Sequence, residues 1–159
     1  MSSVTVRQAT TTDNLDVVSV KRAAIRADGH DSYSADQVAA WAPDADELDD
    51  YENALGDDTY HVLVAEVDDE VVGFGVLNVE TGALLALYIQ PDHRGTGIGS
   101  RLLGQIETTA KFGGADTLEL LASRNAVSFY ADRGYERTDR VERDIDGETL
   151  TFVAMETDL

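Results

Sequence analysis

Cysteine is absent from the 159-residue chain, which excludes disulfides, thiolate metal sites and a cysteine nucleophile together. Histidine occurs three times, at His30, His61 and His93, without the short spacings that hold zinc, so no metal is expected. No apolar run approaches the roughly 18 to 20 residues that a membrane helix needs. The start, Met1-Ser2-Ser3-Val4-Thr5-Val6-Arg7, lacks the basic patch and long apolar stretch of a signal peptide. The expectation is one cytoplasmic domain spanning residues 1–159, with no membrane partner. Bases are scarce as well: 12 Lys and Arg stand against 31 Asp and Glu, a net charge of −19. Such a field repels nucleic acid, whose binding needs basic patches to neutralise phosphates.

The acids that are there have an uneven character. Asp outnumbers Glu by 20 to 11, and Arg outnumbers Lys by 10 to 2. Short, strongly hydrated carboxylates with few lysines resemble the surfaces of haloarchaeal cytoplasmic proteins. Multimolar salt shrinks the screening length to about 3 Å and makes the self-repulsion tolerable. An ordinary acidic protein is the alternative. The acids are also unevenly placed. Residues 94–143 hold eight bases and seven acids, a net of +1, while the remainder holds four bases and 24 acids, a net of −20. A segment that must contact an anionic ligand gives a physical reason for this; ion pairing on helix surfaces gives another.

Hydrophobic periodicity predicts a mixed α/β order. Val4 to Ala9 reads as a strand, followed by a helix capped at Thr12 or Asp13 with Leu15, Val18, Ala23 and Ile25 inward. Asp28-Gly29-His30-Asp31 breaks that helix, and Ser34-Ala35-Asp36-Gln37 is a capping box for a short helix through Val38 and Trp41, ended by Pro43. A third short helix is expected over residues 46–55. Two strands, 61–67 and 71–77, follow across the turn Asp68-Asp69-Glu70, and the almost wholly apolar run 83–89 reads as a central strand covered on both faces. Helix 97–112 carries Ile98, Leu102, Leu103, Ile106 and Ala110 on one side; 117–122 is another buried strand. Residues 125–133 read as a helix with Gly134 just past its end, and a final hairpin turns at Asp146-Gly147.

The richest segment is the junction of the apolar strand with helix 97–112. Glycines at 95, 97 and 99 open directly into the helix, so unpaired backbone N–H groups and the positive helix end converge on one spot suited to phosphate. A Walker A loop would need Gly-Lys-Ser/Thr, and no lysine is present. A dinucleotide fingerprint would need glycine where Ser100 or Leu102 stands. A tight turn without a ligand is the plain alternative.

The remaining pattern, Arg94-x-x-Gly97-x-Gly99 behind a strand ending Leu-Tyr-Ile-x-Pro, is similar to the acyl-CoA signature of the GNAT acyltransferase superfamily. Asn125-Ala126-Val127-Ser128-Phe129-Tyr130-Ala131-Asp132-Arg133-Gly134-Tyr135 resembles a second family segment, two residues shorter between Asn and Phe-Tyr. The likeness covers about residues 60–155. Further upstream, Tyr33-Ser34-x-x-Gln37-x-x-x-Trp41-Ala42-Pro43 looks like a subgroup of small bacterial and archaeal members.

This resemblance implies a mixed sheet of about six to seven strands flanked by about four to five helices. It implies an N-acetyltransferase that uses acetyl-CoA as co-substrate, with direct attack by a primary amine in a ternary complex. Backbone near Leu87, Tyr88 and Ile89 would hold the thioester carbonyl. The pyrophosphate would lie on the amides of Gly95, Thr96, Gly97, Ile98, Gly99 and Ser100, and Asn125 would bond pantetheine amides. Tyr130 would protonate the leaving thiolate; a core aromatic is its duller reading. Arg94, Arg101, Arg124 and Arg133 are candidates for the nucleotide phosphates.

The chain departs from the family over the general base. Many members carry a glutamate on the central strand, and 83–87 offers none. Glu80, His61 or Asp31 acting through water is one option, an amine arriving neutral another. Tyr33, Trp41 and His30 are candidates for the acceptor pocket, although Trp41 also fits a core role. A small-molecule amine is the expected acceptor, with a protein N-terminus or lysine as alternative and a non-catalytic acyl-CoA sensor as another. Members of the family often pair, which makes a homodimer one possible state that the residues themselves do not establish.

Overall fold

The computed structural model describes residues 3–29, 32–41 and 57–159. The helix expected over 46–55, Pro43, His30 and Asp31 lie outside them. Seven strands form one sheet: β1 (Val4–Gln8), β2 (Tyr60–Val67), β3 (Glu70–Asn78), β4 (Ala83–Ile89), β5 (Thr117–Ser123), β6 (Glu136–Ile145) and β7 (Glu148–Asp158), in the order β1-β2-β3-β4-β5-β7-β6. Among the described residues four α-helices flank it: α1 (Asn14–Asp28), α2 (Ala35–Trp41), α3 (Ile98–Phe112) and α4 (Val127–Ala131). Neighbouring strands are antiparallel except β4 and β5.

Each face of the sheet has its own apolar layer. The stripe Ile98, Leu102, Leu103, Ile106 and Ala110 of α3 is buried on one face against Leu63, Val72, Leu77, Leu84 and Leu118. Full burial of each such aliphatic side chain is worth about 2 kcal/mol. On the opposite face α1 packs through Val17 and Val20 onto Val62, Val64, Phe74 and Val76, and α2 joins Leu150 and Phe152 of β7 through Val38. Leu15 does not share the inward face of α1 and stands 71% exposed. The capping box forms, with Gln37 N donating to Ser34 Oγ (3.1 Å) and Ser34 N to Gln37 Oε1 (2.8 Å). Both two-residue hairpins use left-handed backbone, at Asp68 and Asp69 (φ 52° and 65°) and at Asp146 and Gly147 (φ 48° and 82°). Glu70 belongs to β3, paired with Val67, rather than to the turn.

The second half holds two departures. The helix expected over 125–133 is a 3-10 turn, Arg124–Ala126, followed by the single α-turn of α4, and Gly134 (φ 92°) follows it. The run 83–89 is not covered on both faces: Leu85 is 54% exposed, and β5 alternates, leaving Leu121 41% exposed. The cause lies in the pairing. Leu77 faces Leu84 and Val76 faces Ala86, so Leu85 is an extra residue, a bulge in β4. On its other side β4 registers with β5 only at Ala83–Glu119 and Leu84–Leu120. Beyond the bulge the two parallel strands separate, and β5 continues with β7 as far as Ser123–Phe152.

Candidate active site

The gap between the separated strands is the floor of the candidate site. Gln90 N donates to Val72 O at 2.7 Å, and pairing alternates back from there. Ala86 and Tyr88 therefore bond to β3, while the N–H groups of Leu87 and Ile89 turn toward the side that β5 has left. Their side chains join the α3 layer, whereas Tyr88 packs on Phe74 (ring centroids 5.7 Å apart) in the α1 layer.

A cavity of about 280 Å³ opens at this gap. Leu87, Tyr88 and Ile89 form one wall, and Ser123, Asn125, Ala126, Phe129 and Tyr130 form the other. Arg94 and Gly99 of the glycine loop complete the lining, together with Ala24 and Ile25 of α1, Gly29 just after it and Trp41 at the end of α2. A narrower space of about 60 Å³ continues between the strands toward Leu84 and Leu120.

Arg94 leads into the glycine loop. After a 3-10 turn at Pro91–His93, Gly95 (φ 73°) and Gly97 (φ 84°) take left-handed conformations that L side chains rarely adopt. A Cβ at either would meet nothing within 4 Å, so the loop presents bare backbone to open space. Gly97 is the N-cap of α3 and has no side chain to cap the first amides, which include those of Ile98, Gly99 and Ser100. The Thr96 hydroxyl is turned back onto His93 O. Gly99 serves packing instead: a Cβ there would sit 3.3 Å from the Phe129 ring. Arg133 closes this contact from outside, with its guanidinium 3.7 Å from the Phe129 ring centroid and bonded to Ser100 Oγ and Phe129 O. Arg101 lies exposed on the first turn of α3.

Two polar groups on the far wall have unusual surroundings. Asn125 Oδ1 is buried without a protein hydrogen-bond partner. Such an atom suits an amide-bearing ligand in the cavity. Tyr130 is 6% exposed, wedged between Phe129 and Tyr135 (centroids 5.2 and 5.5 Å away), and burial pushes its phenol far above the usual value of 10.0. It stays protonated at neutral pH and is able to donate a proton. Outward strand N–H groups suited to a carbonyl, an orphan Asn125 oxygen and a protonated phenol thus line one cavity, with the uncapped amides of the glycine loop beside it at Gly99, and a CoA thioester fits that set.

Other expected site residues are placed elsewhere. Glu80 lies in the turn before Ala83, and His61 pairs with Leu77, so both belong to the Ala83 end of β4. Five residues of strand, about 17 Å, separate that end from Tyr88. Neither lines the cavity. Tyr33 is buried away from it: its hydroxyl donates to Thr151 O and accepts from Arg124 N (3.0 Å). Arg124 stacks on the Tyr33 ring at 4.6 Å and bonds Ser32 O, so it is tied to the segment just before α2 and not to the glycine loop. Trp41 lines the cavity and also packs edge-on to Tyr33 and Phe152. Ile25, assigned to the core by periodicity, is both buried and part of the wall. Ser123 and Ala126 carry no sequence signal of their own.

Comparison with known proteins agrees with this geometry. Residues 30–159 match the family model described as acetyltransferase (GNAT) domain. An acetyltransferase of Sodalis glossinidius is 34% identical over 97 residues, covering 58% of this chain and 68% of the relative. The crystal structure of a GCN5-related N-acetyltransferase from Rhodopseudomonas palustris superposes with a TM-score of 0.92 at 31% identity, covering 100% of this chain and 98% of that one. The fold is shared with the PaiA N-acetyltransferase of Thermoplasma acidophilum, solved in complex with coenzyme A, at a TM-score of 0.81 and 24% identity over 99% of both chains. By the family match over residues 30–159 and the 31% identity along the whole Rhodopseudomonas palustris fold, the chain belongs to the GNAT acetyltransferase family.

Proposed function

We propose that the chain transfers the acetyl group of acetyl-CoA directly to the primary amine of a small, largely apolar molecule. The cavity carries this reading: its lining combines two chemistries. Arg94 and Gly99, next to the uncapped amides at the start of α3, suit the anionic co-substrate, while Ala24, Ile25, Gly29, Trp41 and Tyr88 suit an apolar acceptor. A polycationic acceptor would call for carboxylates, and the described lining residues include none.

In the reaction, the amine nitrogen attacks the acetyl carbonyl carbon, forming C–N as C–S breaks. N–H groups of Leu87 and Ile89 stabilise the oxyanion. Tyr130 gives its proton to the departing thiolate and recovers one from solvent; the new amide loses its extra proton to water. Neither Glu80 nor His61 lines the cavity; in this reading the amine enters neutral and kcat/KM rises with pH up to the pKa of the amine, whereas a large fall in kcat/KM on Asp31→Asn would instead make Asp31, through water, the base.

The test is calorimetric titration with acetyl-CoA in multimolar KCl, with desulfo-CoA and ATP as controls, followed by an amine screen for thiol release. Saturable binding of acetyl-CoA but not ATP supports the reading. A folded protein that binds neither overturns it, and turnover only with peptide amines overturns the small-molecule acceptor.

A further inference from the structure

The outer strand β6 is a feature that acetyl transfer leaves unused. It is the last strand of the sheet, paired on one side only, with β7. Eight of its ten residues are exposed; Val141 and Ile145 are half-buried. Among the described residues no strand pairs with its other edge, where Arg140 N donates to its neighbour Asp139 Oδ1 (2.7 Å), and edges of this length are normally shortened, bulged or covered. A bulge is present, but near one end: Arg137 faces Met155 and Asp139 faces Ala154, making Thr138 the extra residue. From Asp139 onward the strand is regular.

We propose that residues 139–143 of β6 pair antiparallel with the same residues of a second copy, with Val141 on the two-fold axis. Symmetry limits the choices. In an antiparallel pair of identical strands, facing residues share a face and a hydrogen-bonding direction, so a residue and not a gap must lie on the axis. Centring on Arg140 sets Arg140 against Arg140; centring on Glu142 sets Glu142 against Glu142. Centring on Val141 sets Val141 against Val141, Arg140 against Glu142 twice, and Asp139 against Arg143 twice. Only this register gives every charge of the segment an opposite partner directly across. The segment holds two acids and two bases, no net charge, in a chain of −19. Two such chains repel at long range, and KCl screens that repulsion; it weakens the exposed charge pairs too, so the backbone ladder carries the pairing in multimolar salt and the charge pairs select the register most strongly at lower KCl. The inference rests on β6 alone and is independent of the proposed reaction.

The absence of cysteine gives a clean test. Facing residues of antiparallel strands have Cα atoms about 4.5–5.5 Å apart, within disulfide reach. Val141→Cys should therefore yield a disulfide-linked dimer on mild oxidation in multimolar KCl. Asp144→Cys should not, because in this register its two copies are six residues apart, about 20 Å. At lower KCl, where charge pairs are least screened, adding Arg140→Glu to Val141→Cys should lower the crosslinked fraction severalfold, and adding Glu142→Arg as well should restore it. Far-UV circular dichroism checks that each variant is folded. Equal crosslinking of the 141 and 144 variants, none in either, or indifference to Arg140→Glu would overturn the proposal.

Discussion

Gly99 of the glycine loop lies against Phe129 of the Asn125–Tyr135 segment so closely that the two motifs form one contact: a Cβ on Gly99 would stand 3.3 Å from two atoms of the ring. The Arg133 guanidinium stacks on the same ring, 3.7 Å from its centroid. Alanine gains about 1 kcal/mol of helix propensity at this position, so the overpacking in Gly99→Ala should leave a net loss of about 1 kcal/mol. Chemical denaturation measures this, and Gly99→Ala with Phe129→Leu should recover part of the loss.

Gly97→Ala tests a different property at the same loop. Space is open around Gly97, but its φ of 84° costs an L side chain about 1–2 kcal/mol. A bulkier residue, Gly97→Val, should abolish acetyl-CoA binding while the domain still unfolds cooperatively. Unchanged affinity by calorimetry would remove the loop from the binding site.

Tyr130→Phe should lower kcat by about a hundredfold or more and leave acetyl-CoA affinity nearly intact, as expected for loss of a general acid. An unchanged kcat would reduce Tyr130 to a packing residue. Burial raises the phenol pKa, so the wild-type kcat should show no alkaline loss from Tyr130 up to about pH 10.

The same burial, shared by Tyr135, ties stability to pH at the alkaline end. Both phenols stay protonated in the folded chain, whereas unfolding lets them ionise near the usual value of 10.0. Their contribution is complete below that pH and falls above it, where the unfolded state holds fewer protons. At the acid end Asp13 acts in reverse. Arg7 (2.8 and 2.9 Å) holds its carboxylate below the usual value of 3.8, assisted by Thr10 N. Stability from Asp13 is present above that value and is lost as pH falls through the depressed one. Asp13→Ala should cost about 2 kcal/mol at neutral pH, and its loss should flatten the acid limb of a denaturation series.

Thermal midpoints should rise with KCl toward multimolar concentrations if the net charge of −19 is an adaptation to salt. A midpoint that is flat or falling with KCl would leave the acidic composition without that explanation.

Residues with one local role were readable from the sequence. The α3 stripe follows its period, and Asp146-Gly147 and Ser34–Gln37 carry their own turn and cap chemistry. Leu85 was not readable, because an apolar run looks the same whether it is covered by helices or lines a cavity. A bulge is a relation between two strands, visible only once Val76 and Leu77 are aligned with Ala86 and Leu84. Tyr33 and Arg124 mislead for a related reason. An aromatic and a cation of the types a binding pocket uses instead satisfy each other and a carbonyl of Thr151, 118 residues beyond Tyr33 in the chain. Glu80 and His61 are near the site in sequence or strand but at the wrong end of β4, a distinction that needs the register.

Deleting Leu85 would bring β3 and β4 into unbroken alternation and let β4 run alongside β5 for longer. The shortened chain should gain ladder hydrogen bonds and resist denaturant better than the parent. It should also have nowhere to admit a co-substrate. One supernumerary residue therefore sets a trade between rigidity and work, and the most regular version of this sheet is an inert one.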